Sequence, residues 1–306
     1  MISIGILTHN SPLTLKNTLM SYKHYGLLNY SDDIFCVIQP SEKSNDEINI
    51  CDNFNIRYYL ENTNSWMQGG ISRVFKEAKN EYVLFTENDF RIHTKKNFKK
   101  ILDSSIKWLK EGVVDLIRVR DLKNPGHPLQ LPRPLYDDII NGSFNNLSQY
   151  ITNIHYWTHY LKEPEKLLPS FISKFNNDPN LLIMSSKNCG YTNNCFITTK
   201  KFFYDNLHVY AIMDNPHFEP LVDTIWHTND FKIGITDGFL THVRVDGHNG
   251  CWCCHHNNGG NSENSNCQCC EGLYEDDLNF TIDENNNDIS KYNSGVEKIN
   301  RLKKIL

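Results

Sequence analysis

Over its first 120 residues the chain alternates short apolar runs with stretches of helical spacing, and few folds accept that pattern. Residues 2–7, 33–38, 56–60, 82–85 and 113–119 have the length and apolar content of buried strands. Between them, residues 12–25, 47–54, 69–79 and 95–110 read as helices. In the first helix Leu13, Leu15, Leu19, Met20 and Tyr22 fit one face, and Ser11-Pro12 supplies an N-cap followed by proline at the first helical position. Gly69 and Gly70 open the third helix. Strands and helices joined by short links make an α/β domain with a mainly parallel sheet. Ligands of such sheets bind beyond the carboxyl ends of the strands. Two polar clusters fall at such ends, Thr8-His9-Asn10 and Glu87-Asn88-Asp89.

The remainder is less regular. Residues 121–185 contain seven prolines and read as an insertion that shapes a second binding surface, with an aromatic, helical stretch at 150–161. Residues 195–198 and 200–207 read as strand then helix, 218–227 as a helix, 233–245 as one or two strands and 296–306 as a basic helix. With 31 basic against 36 acidic residues the net charge is −5, which argues against a nucleic-acid surface. There is no run of about 18 apolar residues, so no membrane-spanning helix is expected. The first residues lack a basic leader and a cleavage site, so they read as a strand and the expected location is cytoplasmic. The abundance of Asn, Lys and Ile suggests an AT-rich genome, such as that of a large DNA virus, which would place the protein in host cytoplasm or virion.

Glu87 and Asp89 are two carboxylates one residue apart, just past an apolar strand, so they project to the same side. Such a pair can hold one hard divalent cation, Mg²⁺ or Mn²⁺, whose other ligands come from phosphate and water. An acidic pair of this kind is also a common solvated turn.

The segment from Gly69-Gly70-Ile71-Ser72-Arg73 to Phe85-Thr86-Glu87-Asn88-Asp89 resembles the nucleotide-sugar glycosyltransferases of the GT-A type, family-2-like. Ile4-Gly5-Ile6-Leu7-Thr8-His9-Asn10, followed by Pro12 and a helix, resembles them too. The resemblance implies a Rossmann-like mixed sheet with helices on both faces. It implies a donor site built from Thr8, His9, Asn10, Arg73, Glu87, Asn88, Asp89 and Arg244, with Glu87-Asn88-Asp89 as a variant DxD motif. The donor would be a nucleotide-diphosphate sugar, UDP-linked, although Gln39 stands where the family often has the Asp that recognises uracil. GT-A enzymes commonly bring a late His to the metal, which points to His242 beside Asp89; a His in a strand is also an ordinary structural residue. On this reading residues 1–120 are the nucleotide-sugar half of the domain and 121–245 the acceptor half.

Residues 190–196 resemble the segment lining the acceptor site, with Asn193 and Asn194 as acceptor-binding residues; a polar turn before a strand reads equally well. Residues 214–226 carry three acids. In inverting members an acid at the start of a helix here removes the acceptor hydroxyl proton. Glu219 is the first candidate and Asp223 the second. Acids near a helix N-terminus also simply favour its dipole.

Six of the ten cysteines crowd into 251–270. Cys251 with Cys254, and Cys267 with Cys270, form two C-x-x-C pairs twelve residues apart, able to place four thiolates around a structural Zn²⁺. Disulfides are the alternative. The Cys-rich loop, 246–275, and a tail, 276–306, complete the chain.

The leading expectation is therefore a metal-dependent hexosyltransferase acting on a hydroxyl of a glycan or glycosylated protein, a collagen-like one included. The other reading is a zinc-knuckle protein that binds RNA or a glycan on a non-catalytic α/β scaffold. The cysteine window holds no Lys or Arg, which speaks against RNA.

Overall fold

The computed structural model describes residues 1–92, 97–121, 172–176, 178, 180–213 and 218–243. The helices expected at 150–161 and 296–306, the Cys-rich loop and Arg244 lie outside the described residues.

The expected alternation is present. In chain order come β1 (Ile2–Thr8), α1 (Pro12–Tyr25), β2 (Ile34–Ile38), α2 (Ser44–Asn53), β3 (Arg57–Leu60), α3 (Trp66–Glu77), β4 (Tyr82–Glu87), β5 (Phe90–Ile92), α4 (Phe98–Lys110) and β6 (Leu116–Arg120). There follow β7 (Ile172–Lys174), β8 (Leu182–Ser185), β9 (Phe196–Thr199), α5 (Lys200–Asn206), α6 (His208–Ala211), α7 (Phe218–Trp226) and β10 (Lys232–His242). All ten strands join one mixed sheet in the order β3-β2-β1-β4-β9-β6-β10-β8-β7, with β5 added to β10. Strands β1 to β4 pair in parallel, β9 runs antiparallel between β4 and β6, and β10 lies parallel to β6. The ends of β1, β4, β6 and β10 therefore share one edge.

Each face of the sheet buries its own core, as strands covered on both sides must. Leu7, Val37, Val83, Phe85, Phe196 and Ile235 pack under α3, α5, α6 and α7 through Ile71, Phe75, Phe203, Ala211, Val222 and Trp226. On the other face Ile4, Ile6, Ile38, Leu84 and Ile197 meet Leu15, Leu19, Tyr22, Cys51, Leu102 and Trp108 of α1, α2 and α4.

Two expectations about α3 and the acidic motif are corrected. Helix α3 begins at Trp66, so Gly69 and Gly70 lie inside it. A Cβ on Gly70 would stand 2.4 Å from Leu7 Cδ1, so the glycine serves close packing of helix on sheet. Strand β4 runs on through Glu87, which pairs with Leu7 of β1. The chain then turns, and β5 carries it antiparallel along the end of β10, a strand the sequence pattern did not reveal.

Strand β10 pairs with β6 up to Ile235, shifts register, and resumes at Leu240 opposite Arg120. Gly238 makes that shift possible: its φ is +65°, and a Cβ there would sit 1.9 Å from the Arg120 carbonyl oxygen. Among the described residues no helix is long and apolar enough to cross a membrane.

Candidate active site

The shared strand edge gathers most of the residues singled out above. Asp89 follows β4 and His242 ends β10. The β5–β10 register sets His242 opposite Phe90, and the Val243 amide donates to the Asp89 carbonyl at 2.6 Å. As a result His242 Nε2 lies 3.0 Å from Asp89 Oδ2, with the two side chains 15% and 3% exposed. The Phe90 ring meets the imidazole edge-on at 5.0 Å.

A divalent ion fits this pair. A separation of 3.0 Å matches a hydrogen bond, and it equally matches two adjacent ligands at about 2.1 Å around an octahedral ion. A carboxylate with an imidazole suits Mn²⁺ better than Mg²⁺. Glu87 does not complete the set. Among the described residues no three His, Cys, Asp or Glu side chains gather as a metal cage. Because β4 continues through it, Glu87 alternates with Thr86 and follows Val83 and Phe85 to the other sheet face. There its charge helps raise the Tyr191 phenol, whose main cause is burial.

Thr8 and Asn88 lie at this edge but face inward. Thr8 is 1% and Asn88 4% exposed. The Asn88 amide donates to Thr8 Oγ1 at 2.8 Å, and Thr8 donates to Glu47 Oε1 at 2.6 Å. Glu47 also accepts from the Ser11 amide at 3.1 Å, and Thr18 donates to the Asn88 carbonyl at 2.5 Å. These bonds tie α1, α2 and β1 to the turn that carries Asp89, so Thr8 and Asn88 brace that turn from beneath. The chain departs from its strand conformation at Asn10, whose φ is +53°. His9 is exposed, with Nε2 3.4 Å from Asn64 Nδ2. Gln39 is 2% exposed and accepts the Ser65 amide at 2.8 Å, so it clasps the start of α3.

Arg73 is engaged by two acids. It lies seven residues into α3, about 10 Å from the helix start. Its Nε is 3.1 Å from Glu77 and 3.4 Å from Glu61, and its guanidinium covers Tyr59.

The acceptor-side candidates do come together. The Asn193 amide donates to Glu219 Oε1 and the Tyr191 amide to Asp223 Oδ1, each at 2.6 Å. The acids lie one turn apart on α7, above the buried Phe218, Val222 and Trp226. Burial raises the Asp223 carboxyl above the usual Asp range, while the Tyr191 amide, His227 and Arg118 pull it down. Two further residues, not anticipated from sequence, complete this side. Arg118 Nη1 donates to the carbonyls of Thr192 at 2.7 Å and Asn194 at 2.9 Å, and Arg120 Nη1 donates to Asn194 Oδ1 at 2.9 Å. Their signal was two arginines alternating with apolar residues in a strand otherwise read as core.

The match to glycosyl transferase family 2 spans residues 3–191, more than half of the chain. The chain belongs to glycosyl transferase family 2, and its mixed sheet with helices on both faces is a GT-A fold. Among solved structures it is similar to S. aureus TarS, with a TM-score of 0.44, 15% identity and coverage of 79% of this chain and 36% of that one. It is also similar to residues 1–349 of TarS (TM-score 0.43, 14% identity, 79% and 60% covered) and to the same part in complex with UDP (0.41, 12%, 80% and 60%). The chain thus spans between about a third and three-fifths of these proteins. No curated protein matches it.

Proposed function

We propose that this protein is a metal-dependent glycosyltransferase that moves a hexose from a nucleotide-diphosphate sugar, UDP-linked, to a hydroxyl of a glycan or glycoprotein. The observation that carries the reading is the Asp89–His242 pair at 3.0 Å, on the same strand edge as a segment clasped by two acids. A bound Mn²⁺ would neutralise the diphosphate and make it a better leaving group. Asp89 and His242 would hold the ion, and the buried bonds of Thr8 and Asn88 keep Asp89 in place. His9 and Asn10 flank the nucleotide at the end of β1. Across the site, Glu219 takes the acceptor hydroxyl proton; Oε1 is anchored on the Asn193 amide and Oε2 serves the acceptor. Asp223 is the alternative base, and Asn193 and Asn194 line the acceptor side. A base in this position suits transfer with inversion.

A structural Zn²⁺ on Cys251, Cys254, Cys267 and Cys270 belongs to the same proposal. It rests on their spacing and on the shortage of apolar residues between them.

Thermal-shift measurement of the protein against nucleoside diphosphates and their sugars, with and without Mn²⁺, tests the reading. A ligand at a hundred times its Kd stabilises by about 2.7 kcal/mol. UDP or a UDP-sugar should raise Tm only when Mn²⁺ is present. A Tm indifferent to every nucleotide would overturn the proposal.

A further inference from the structure

Arg118 has no role in the scheme above, yet it is only 4% exposed and sits in the middle of the sheet. Across the sheet it pairs with Phe196 of β9 and with Ile235 of β10. Its guanidinium lies over the rings of Tyr191 and Phe196, at 5.7 and 5.5 Å. Among the described residues no carboxylate lies within ion-pair distance of it, and its Nη1 bonds to the carbonyls of Thr192 and Asn194. A buried cation with neutral partners is expensive, and its retention calls for a reason.

The segment it holds supplies one. From Tyr191 to Asn194 the backbone alternates its bonds between two sides. The amides of Tyr191 and Asn193 donate to Asp223 and Glu219 on α7. The carbonyls of Thr192 and Asn194 accept from Arg118 on β6. One strand of backbone is thus gripped by a cation on one edge and by two anions on the other. The Thr192–Asn193 peptide carries both contacts, Arg118 on its carbonyl and Glu219 on its amide, so each polarises the bond that serves the other. The charge of Arg118 also reaches Asp223 and favours its ionised form. Thr192 Oγ1 and the Asn194 side chain close the segment internally, and Arg120 holds Asn194 from the same strand.

We infer that Arg118 is a positioning residue for the acceptor side: by fixing the Thr192 and Asn194 carbonyls it sets the backbone amides that aim Glu219 and Asp223. The inference rests on the reading of Glu219 as the base, but its structural half stands apart from that reading.

The test uses Arg118→Gln and Arg118→Lys in the full chain. Gln is too short to reach both carbonyls. Lys keeps the charge, but its nitrogen ends one bond short of Nη1. Amide hydrogen exchange at Tyr191 and Asn193 should quicken by about tenfold, the worth of one hydrogen bond, more so in Gln than in Lys. The Ile117 amide serves as the internal reference. Turnover should fall roughly 10- to 100-fold, as expected when a catalytic group is misplaced, while KM for the donor and UDP affinity stay near wild type. If Arg118→Gln fails to fold, Arg118→Lys carries the comparison alone. Unchanged exchange at both amides in the folded variants would overturn the inference, as would faster exchange with unchanged turnover. Glu219→Gln separates the two readings. It keeps an oxygen for the Asn193 amide, so it should lose turnover with no change in exchange. If Glu219→Gln stays active while Arg118→Gln still loosens the two amides, the base assignment fails and the positioning contact stands.

Discussion

His242 and Asp89, far apart in the chain, face each other across 3.0 Å because β5 folds back against the last three residues of β10. Both side chains are placed by strand pairing between segments remote in sequence. The short β5 fixes Asp89, the register shift at Gly238 fixes His242, and the amide of Val243 closes the junction on the Asp89 carbonyl.

Removing either side chain should abolish the same property. Asp89→Asn and His242→Phe are each expected to weaken Mn²⁺-dependent UDP binding by at least about tenfold. The Phe variant keeps the ring contact with Phe90. Titration calorimetry with and without Mn²⁺ measures the change. Equal affinity in Asp89→Asn and wild type would remove Asp89 from the metal site.

Gly238→Ala tests the bulge. The new methyl would meet the Arg120 carbonyl oxygen at 1.9 Å, in a left-handed conformation that L-residues resist. The two penalties together predict a loss of at least about 2 kcal/mol in urea unfolding. Because His242 lies four residues further on, Mn²⁺-dependent binding should fall as well. A variant as stable as wild type would show that the bulge does not depend on glycine.

The two acids on α7 are predicted to separate kinetically. Glu219→Gln should reduce kcat by roughly 10²–10⁴-fold and leave UDP affinity near normal. Asp223→Asn should cost much less. The opposite ranking would transfer the base role to Asp223, and a product with retained anomeric configuration would exclude both.

Asp223 should also leave a mark on the pH dependence of stability. Burial holds its carboxyl above the usual value, so the folded chain binds this proton more tightly than the unfolded one does. Its contribution to folding is therefore complete below the unfolded value, about 4, and is lost as pH rises through the higher folded value. Asp223→Asn cannot ionise, and it keeps an oxygen for the Tyr191 amide. It should exceed wild type in urea midpoint at pH 7, with the gap closing toward about pH 4. A variant weaker than wild type at neutral pH, with the gap unchanged on acidification, would contradict this.

For the cysteine window, elemental analysis of protein purified without added metal should give about one zinc per chain, with thiols released on chelation. Metal-free protein without titratable thiols between residues 251 and 270 would mean disulfides instead.

Much of the first 120 residues was legible because it is local. The alternation of strand and helix, the polar residues at the ends of β1 and β4, and Pro12 at the start of α1 all follow from short-range patterns. The errors were also of one kind. Glu87 reads as a partner of Asp89 only if the strand stops before it; two more residues of β4 turn it to the other face. Arg73 reads as a donor ligand only if α3 starts at the glycines. An earlier start by a single turn puts it in the middle of the helix, where Glu61 and Glu77 engage it.

By itself the sequence determined the class of fold, the sheet edge that carries the candidate site and the acids from which a site there could be drawn. Those depend on hydrophobic period and on residue type, which any stretch of chain displays. What the tertiary structure alone decided is which of these residues meet. Asp89 finds His242 through an antiparallel pairing across the sheet, Glu47 meets Thr8 through helix packing, and Asn88 meets Thr8 across the β1–β4 junction. Arg118 meets the 191–194 segment because β9 inserts between β4 and β6. Each is a long-range contact fixed by strand order and register, and neither quantity is written in the spacing of residues along the chain.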